Sequence, residues 1–105
     1  MTWSEMMKRD TGYETKTTFW EDFSIADRFG TEAVIDTYNR AFGEWKSNVE
    51  YLTELVLVLN HKIWAWYQTN ARLGELYSTL WEKTHDWCLD HLDGNDLEYY
   101  YQITD

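Results

Sequence analysis

The sequence predicts an all-α, single-domain bundle of about four main helices, followed by a short C-terminal helix. Apolar residues recur at spacings of three and four along most of the chain, which is the period of helices that bury one face. The 105 residues include no proline and only five glycines, so few residues interrupt long helices. A hydrophobic fraction of 44% is sufficient for a folded core in a chain of this length.

Residues 1–17 are predicted to form a polar N-terminal arm with at most a short helical turn, and residues 18–105 to form the helical bundle domain. In the first helix of the bundle, Thr18 and Glu21 have the spacing of a capping box, and Gly30 suits the position after the helix end. The apolar side of this helix is expected to consist of Phe19, Phe23, Ile25, Ala26 and Phe29.

Segment 31–46 is predicted to form the second helix, with one apolar face made of Val34, Tyr38, Ala41, Phe42 and Trp45. Gly43 lies inside this helix and lowers its stability by up to ~1 kcal/mol relative to alanine. Two explanations for this glycine are open: a close contact with another helix, or a weak point in the helix. Segment 48–70 forms the third helix, with Ser47 and Glu50 as a capping box. It is apolar on nearly every side, as expected of a central helix.

Asn70 is placed to cap the fourth helix, in segment 71–93, which ends at Gly94, and Asn95 with Glu98 begins a short last helix. A helix turns by about 100° per residue, which separates two faces of the fourth helix. One side carries the core-like residues Leu76, Tyr77, Leu80, Trp81, Thr84, Trp87, Cys88 and His91. The opposite side and the residues after it carry the predicted partner-binding carboxylates, which are Glu75, Glu82, Asp86, Asp90, Asp93, Asp96 and Glu98.

Two explanations for this row of acids are open. A surface helix needs a polar face, and a chain with a formal net charge of −10 is acidic throughout. However, the like-charge pairs around Asp86 and the acids at the negative end of the helix dipole together cost on the order of 1 kcal/mol. Carboxylates along ~27 Å of helix also resemble a strand of phosphates to a groove lined with Lys and Arg. The net charge favours basic partner surfaces and disfavours nucleic acid and anionic membrane.

The histidines, the cysteine and the acids of the fourth helix do not support a metal site. The Glu82–His85 pair has the Glu-x-x-His spacing of carboxylate-bridged di-iron bundles, but those need a second such pair and further inward glutamates. Cys88 and His91 share a helix side with the right spacing for one ion, whereas zinc prefers four ligands. A buried thiol, and imidazoles bonded to a tyrosine or a backbone carbonyl, explain these residues better. No metal and no cofactor are predicted.

The sequence also lacks every catalytic pattern that we considered, including a phosphate-binding glycine loop, a GxSxG elbow and an HExxH pair, so we expect no enzyme. The single cysteine cannot form an internal disulfide, which favours a reducing, cytoplasmic location. The N-terminus has no signal-peptide core, and the most apolar stretch contains Glu54, His61 and Lys62, so no membrane span is predicted.

Three stretches carry a resemblance to other proteins: "TTFWEDFSIADRFG" (17–30), "DTYNRAFGEWK" (36–46) and "YLTELVLVLNHKIW" (51–64). Through them, residues 17–105 resemble small acidic proteins carried on conjugative and phage-like elements of gut bacteria. The resemblance implies a genetic context, on a mobile element, and it does not identify any functional residue. Small acidic proteins on mobile elements are often anti-defence factors, including anti-restriction and anti-CRISPR proteins that occupy the nucleic-acid groove of a nuclease.

We therefore expect a non-enzymatic, acidic inhibitor that binds a basic surface of a host defence nuclease, such as Cas9, through the acidic side of the fourth helix. The alternative is a structural or accessory protein of a mobile element that forms a homodimer through exposed aromatic residues such as Trp20 or Tyr99–Tyr101.

Overall fold

A computed structural model describes residues 1–104, and this part of the chain forms six helices without a strand. The helices are α1 (Trp3–Thr11), α2 (Phe19–Asp27), α3 (Thr31–Trp45), α4 (Val49–Trp66), α5 (Ala71–His91) and α6 (Gly94–Thr104). The predicted all-α class is confirmed. The helix count is one higher than predicted because the N-terminal arm contains α1. Among the described residues, no helix combines the length and the apolar character needed to cross a bilayer.

The N-terminal arm is more ordered than its composition predicts. The Thr2 hydroxyl accepts a hydrogen bond from the backbone N–H of Glu5 at 3.1 Å and begins α1, and Gly12, with φ of 77°, ends it. Trp3 and Met7, one helical turn apart, are buried against the bundle. Trp3, Met6 and Met7 have the helical spacing of three and four, but they extend over little more than one turn, which is too short to outweigh the polar residues around them in a sequence-based prediction.

Helix α4 occupies the centre of the bundle, as predicted, and packs against α2, α3, α5 and α6. Its residues Leu52, Leu55, Val58 and Leu59 are completely buried. The larger core cluster includes residues from α1 to α5, whereas a smaller cluster joins Leu52 and neighbouring residues of α4 to α5 and α6. A helix that contacts neighbours on all sides has to be apolar on all sides, which explains its sequence.

The residue that caps the start of α5 agrees with the sequence prediction, whereas the residue that caps the start of α4 differs from it. Asn70 caps α5 as predicted, since its side chain accepts a hydrogen bond from the backbone N–H of Leu73 at 3.2 Å. Helix α4 begins one residue later than predicted: Asn48, rather than Ser47, accepts from the N–H of Tyr51 at 3.1 Å. Asparagine and serine are both good caps, so the sequence alone could not decide between these neighbours.

Helix α2 departs from the prediction at both ends. Thr18 makes no capping hydrogen bond through its side chain, and the helix ends at Asp27. The predicted apolar side is also partly wrong, because Ile25 and Phe29 are 57% and 79% exposed. Ile25 lies about 200° around the helix from the buried Phe23, and therefore faces away from the core.

Gly43 and Gly74 both lie inside helices, and substitution by alanine is expected to change stability in opposite directions at the two positions. A Cβ added to Gly43 would meet no atom within 4 Å, so the close-contact explanation for Gly43 is wrong. A Cβ on the buried Gly74 would lie 2.9 Å from the Tyr67 Cα, where α5 passes the end of α4. We expect Gly43→Ala to raise the free energy of unfolding by up to ~1 kcal/mol, and Gly74→Ala to lower it by about 1–3 kcal/mol through overpacking. Urea denaturation of both variants checks this, and equal effects of the same sign would contradict it.

Candidate acidic interaction face

The predicted acidic residues lie on the outside of the bundle. The buried residues of α5 are Leu73, Gly74, Tyr77, Leu80, Thr84 and Cys88, and they pack mainly towards α4. All seven predicted carboxylates are exposed: Glu75, Glu82, Asp86, Asp90, Asp93, Asp96 and Glu98. We call these seven residues the acidic face. The helical period of α5 places Glu75, Glu82, Asp86 and Asp90 opposite its buried residues, and the remaining three members are exposed in the connection and on α6.

The acidic face is continuous along α5. Glu75, Glu82, Asp86 and Asp90 lie within about 80° of arc and along ~22 Å of the helix axis. Helix α5 ends at His91, two residues before the predicted end at Asp93. Asp93 therefore lies in the connection, and Asp96 and Glu98 lie on α6.

No carboxylate of the acidic face has an ion pair or a side-chain hydrogen bond within residues 1–104. The four ion pairs of this part of the chain involve acids elsewhere, at Asp10, Glu14, Asp27 and Glu50. Lys83, which follows Glu82, has its Nζ 5.7 Å from the ring of Tyr38 on α3, so this cation is directed to the side of the face. The carboxylates of the face therefore form no ion pair within residues 1–104, and Arg72, three positions before Glu75, is a cation on the same side of α5.

The histidines and the cysteine of α5 do not form a metal site. Nδ1 of His85 and the Tyr100 hydroxyl are 2.6 Å apart and share a hydrogen bond. His91 is exposed, contrary to the predicted core position; its Nδ1 donates to the Trp87 carbonyl at 2.9 Å and its ring stacks on that of Trp87. Within residues 1–104, no group of His, Cys, Asp and Glu side chains has the arrangement needed to hold a metal ion.

Cys88 is unsuited to nucleophilic chemistry. Its side chain is completely buried in the cluster between α4, α5 and α6. This burial raises the pKa of the Cys88 thiol to about 12, so at neutral pH the reactive thiolate is almost absent. The thiol acts as a small apolar side chain in the core.

A buried ion pair joins α2 to α4, and it was not predicted from the sequence. Lys62 Nζ lies 2.9 Å from Asp27 Oδ2, and both side chains are only 4% exposed. The same carboxylate accepts hydrogen bonds from Trp66 Nε1 at 3.0 Å and from the Tyr77 hydroxyl. The ammonium group also donates to Ser24 Oγ at 2.8 Å. The available signal was a lysine within a helix that the sequence predicts to be central and mostly buried.

A second buried charge anchors the N-terminal arm. Glu54 is 0% exposed, and its Oε1 accepts from the Tyr13 hydroxyl and from the backbone N–H of Lys16, both at 2.8 Å. Its Oε2 accepts from the backbone N–H of Thr17 at 2.9 Å and from the Thr17 hydroxyl. One carboxylate of α4 therefore fixes the segment that leads into α2.

The arm is also held near its start by aromatic contacts. Trp3 Nε1 donates to His61 Nδ1 at 3.1 Å, and the Trp3 ring stacks on Trp20 with 5.3 Å between ring centroids. Burial lowers the pKa of His61, which suits a neutral imidazole that accepts this hydrogen bond. Lys62 Nζ lies 4.1 Å from the centroid of the Trp20 ring and completes the cluster.

These buried polar groups are structural. Among the described residues, every buried side-chain nitrogen and oxygen atom has a hydrogen-bond partner. The carboxylates of Asp27 and Glu54 each accept several hydrogen bonds that join separate elements of the fold. Apart from Glu54, the charged groups of residues 1–104 without an ion pair are on the surface, and the acidic face is the candidate functional site.

No protein-family model, curated protein or solved structure matches this chain. We therefore infer function from the charge, exposure and contacts of the described residues. The relationship to proteins of mobile elements stays a prediction.

Proposed function

We propose that this protein is a non-enzymatic binding protein that presents its acidic face to a basic surface of a partner protein. The observation that carries the proposal is the set of seven exposed carboxylates on α5, on α6 and in the connection between them, none of which has an ion pair within residues 1–104. Because they are mounted on helices that pack in the bundle, they lose little conformational freedom on binding. The net charge of −10 adds long-range attraction to a positive partner.

The partner that we favour is a nuclease of a host defence system, such as Cas9, in the cytoplasm. Such an enzyme has a basic channel that holds nucleic acid. Glu82, Asp86 and Asp90 are spaced by one helical turn, about 6 Å along the axis, which is close to two nucleotide steps of one DNA strand, about 6.8 Å. The acidic face thus supplies roughly half the charge density of a single strand, and it competes with DNA for the same cations.

A capture experiment tests this function. Purified protein is immobilised and offered a panel of basic nucleases, including guide-loaded Cas9, at low and at high salt. We expect capture of a nuclease at low salt, weaker capture at high salt, and release by added DNA, because screening weakens attraction between exposed charges. Capture that does not respond to salt or to DNA would contradict the proposed binding mode.

Self-association of an accessory protein is the second candidate, and exposed aromatic rings on α4 favour it. Trp64 is 63% exposed, and its ring contacts that of Tyr67 with 5.3 Å between centroids. Of the aromatics predicted from the sequence to form a dimer, Trp20 is stacked on Trp3 and Tyr100 is completely buried, whereas Tyr101 is 42% exposed. A dimer would use the Trp64–Tyr67 pair, with Tyr101 as the other exposed candidate. Light scattering distinguishes the candidates, since a stable dimer that is insensitive to salt supports self-association.

A further inference from the structure

A groove lined by both apolar and polar side chains lies between α2 and α3, on elements that contribute nothing to the acidic face. Its volume is about 970 Å³, and its lining includes the small residues Ala26, Ala33, Thr37 and Ala41. Trp45 and Tyr51 also line it, and their rings are in contact, with 4.4 Å between centroids. Residues 15–18, the segment held by Glu54, form a further wall.

Two large apolar side chains of the groove are not covered by the rest of the bundle. Phe29 is 79% exposed and Ile25 is 57% exposed, and both line the groove. A single exposed apolar residue on a surface is ordinary. Here two of them are four positions apart and border a cavity, which is the arrangement of an apolar surface that a partner covers.

The exposed charges beside the groove are mainly negative. Asp22, Asp36 and Glu44 line it and have no ion pair within the described part of the chain. The lining also contains two cations, Arg40 and Lys16, and Lys16 Nζ lies 3.9 Å from Glu50 and 4.7 Å from the centroid of the Tyr13 ring. The acids in the lining outnumber the cations by three to two. The groove therefore favours cationic residues beside an apolar contact.

We infer that this groove binds an amphipathic helix of a partner protein, with an apolar stripe flanked by Lys and Arg. The small floor residues allow a third helix to approach to the usual interaxial distance of about 8–10 Å. From Ala33 to Trp45 the groove extends along ~18 Å of α3, which matches about three turns of a bound helix. The inference goes beyond the proposed function, because it adds a second binding surface that recognises apolar as well as charged groups.

The test uses a synthetic helical peptide of about four turns, with leucines along one side and lysines beside them. A matched peptide has the same leucines and glutamates in place of the lysines. Amide chemical shifts of the ¹⁵N-labelled protein locate the site, and calorimetry measures affinity. We expect the lysine peptide to shift residues of α2 and α3, and the glutamate peptide to bind at least about tenfold more weakly.

A matched pair of variants separates groove binding from general attraction to an acidic protein. Phe29→Glu should weaken binding of the lysine peptide at least about tenfold, because the apolar contact is lost. This variant is more acidic than the parent, so general attraction alone would strengthen binding. Ile35→Glu changes another exposed apolar residue of α3 that does not line the groove, and it should bind normally.

Three results would overturn the inference: equal binding by the Phe29→Glu and Ile35→Glu variants, shifts confined to the acidic face, or a dimer of the protein alone that Phe29→Glu dissociates. The last would identify a second copy of this chain as the occupant. Thermal unfolding of both variants verifies that each is folded, and a folded Phe29→Glu protein is expected since Phe29 makes little contact with the core.

Discussion

Asp27→Ala is expected to lower the free energy of unfolding by about 3–5 kcal/mol, the usual effect of removing one partner from a buried ion pair. The substitution leaves three donors of the interior without their acceptor: the Lys62 ammonium, Trp66 Nε1 and the Tyr77 hydroxyl. The ammonium keeps only Ser24 Oγ and the face of the Trp20 ring. An unpaired charge in a water-poor site is the largest of these penalties.

Urea denaturation followed by circular dichroism measures this change. Asp36→Ala is the matched control, because Asp36 is an exposed aspartate on the neighbouring helix without an ion pair in residues 1–104, and it should change stability by less than about 0.5 kcal/mol. Lys62→Met should cost less than Asp27→Ala, since the remaining carboxylate keeps two donors. Equal stability of the Asp27→Ala and Asp36→Ala variants would show that the ion pair is not formed.

Glu54→Ala is expected to release the N-terminal arm and to lower the free energy of unfolding on the order of 3 kcal/mol. The substitution removes the acceptor of four hydrogen bonds from Tyr13, Lys16 and Thr17. The freed backbone groups can reach water once the segment detaches, so the loss is smaller than for four donors trapped in the core. Helices α3 and α5 should remain folded, because none of the hydrogen bonds of Glu54 involves them.

Glu54→Gln is a sharper form of the same test. The backbone N–H of Lys16 donates to one carboxylate oxygen, and that of Thr17 donates to the other. An amide side chain has one oxygen and one NH₂ group, so in either orientation a backbone N–H faces another donor. We therefore expect Glu54→Gln to destabilise the arm as well, although Glu and Gln have almost the same shape.

Hydrogen exchange of the amides in residues 13–17 measures release of the arm directly. These amides should exchange much faster in both Glu54 variants than in the parent protein. Glu50→Gln is the control on the same helix, since Glu50 is exposed and makes only a long contact of 3.9 Å with Lys16. Protection of the arm that is the same in the Glu54 and Glu50 variants would contradict the anchoring role.

Much of the fold follows from helical periodicity, which is a local property. The central position of α4 could be predicted because its sequence is apolar on all sides. The exposure of the acidic residues on α5 likewise follows from a turn of about 100° per residue. Their role in binding stays a prediction, because exposure alone does not identify a partner.

The features that could not be predicted depend on residues far apart in sequence. Asp27 and Lys62 are 35 positions apart, and the Glu54 anchor reaches 41 positions to Tyr13. The α2–α3 groove depends on the orientation of α2 about its own axis. This orientation places Ile25, and Phe29 just beyond the end of the helix, on the outside of the bundle. Apolar spacing shows that a helix has a buried side. A helix of nine residues, such as α2, has too few turns for the spacing to define how wide that side is.

The central claim, that the acidic face binds a basic protein surface, is tested most directly by two variants with the same net charge. One carries Asp86→Asn, Asp90→Asn and Asp93→Asn within the acidic face. The other carries Glu21→Gln, Glu32→Gln and Glu50→Gln, exposed acids on α2, α3 and α4. Affinity of each for the captured nuclease, beginning with guide-loaded Cas9, is measured by biolayer interferometry at low salt.

We expect the acidic-face variant to bind at least about tenfold more weakly than the parent protein, since three charge contacts are lost. The control variant should bind within about twofold of the parent, because only its long-range attraction is reduced. Equal weakening of the two variants would mean that net charge, rather than the acidic face, determines binding. Unchanged binding by the acidic-face variant would place the interface elsewhere and contradict the proposed function.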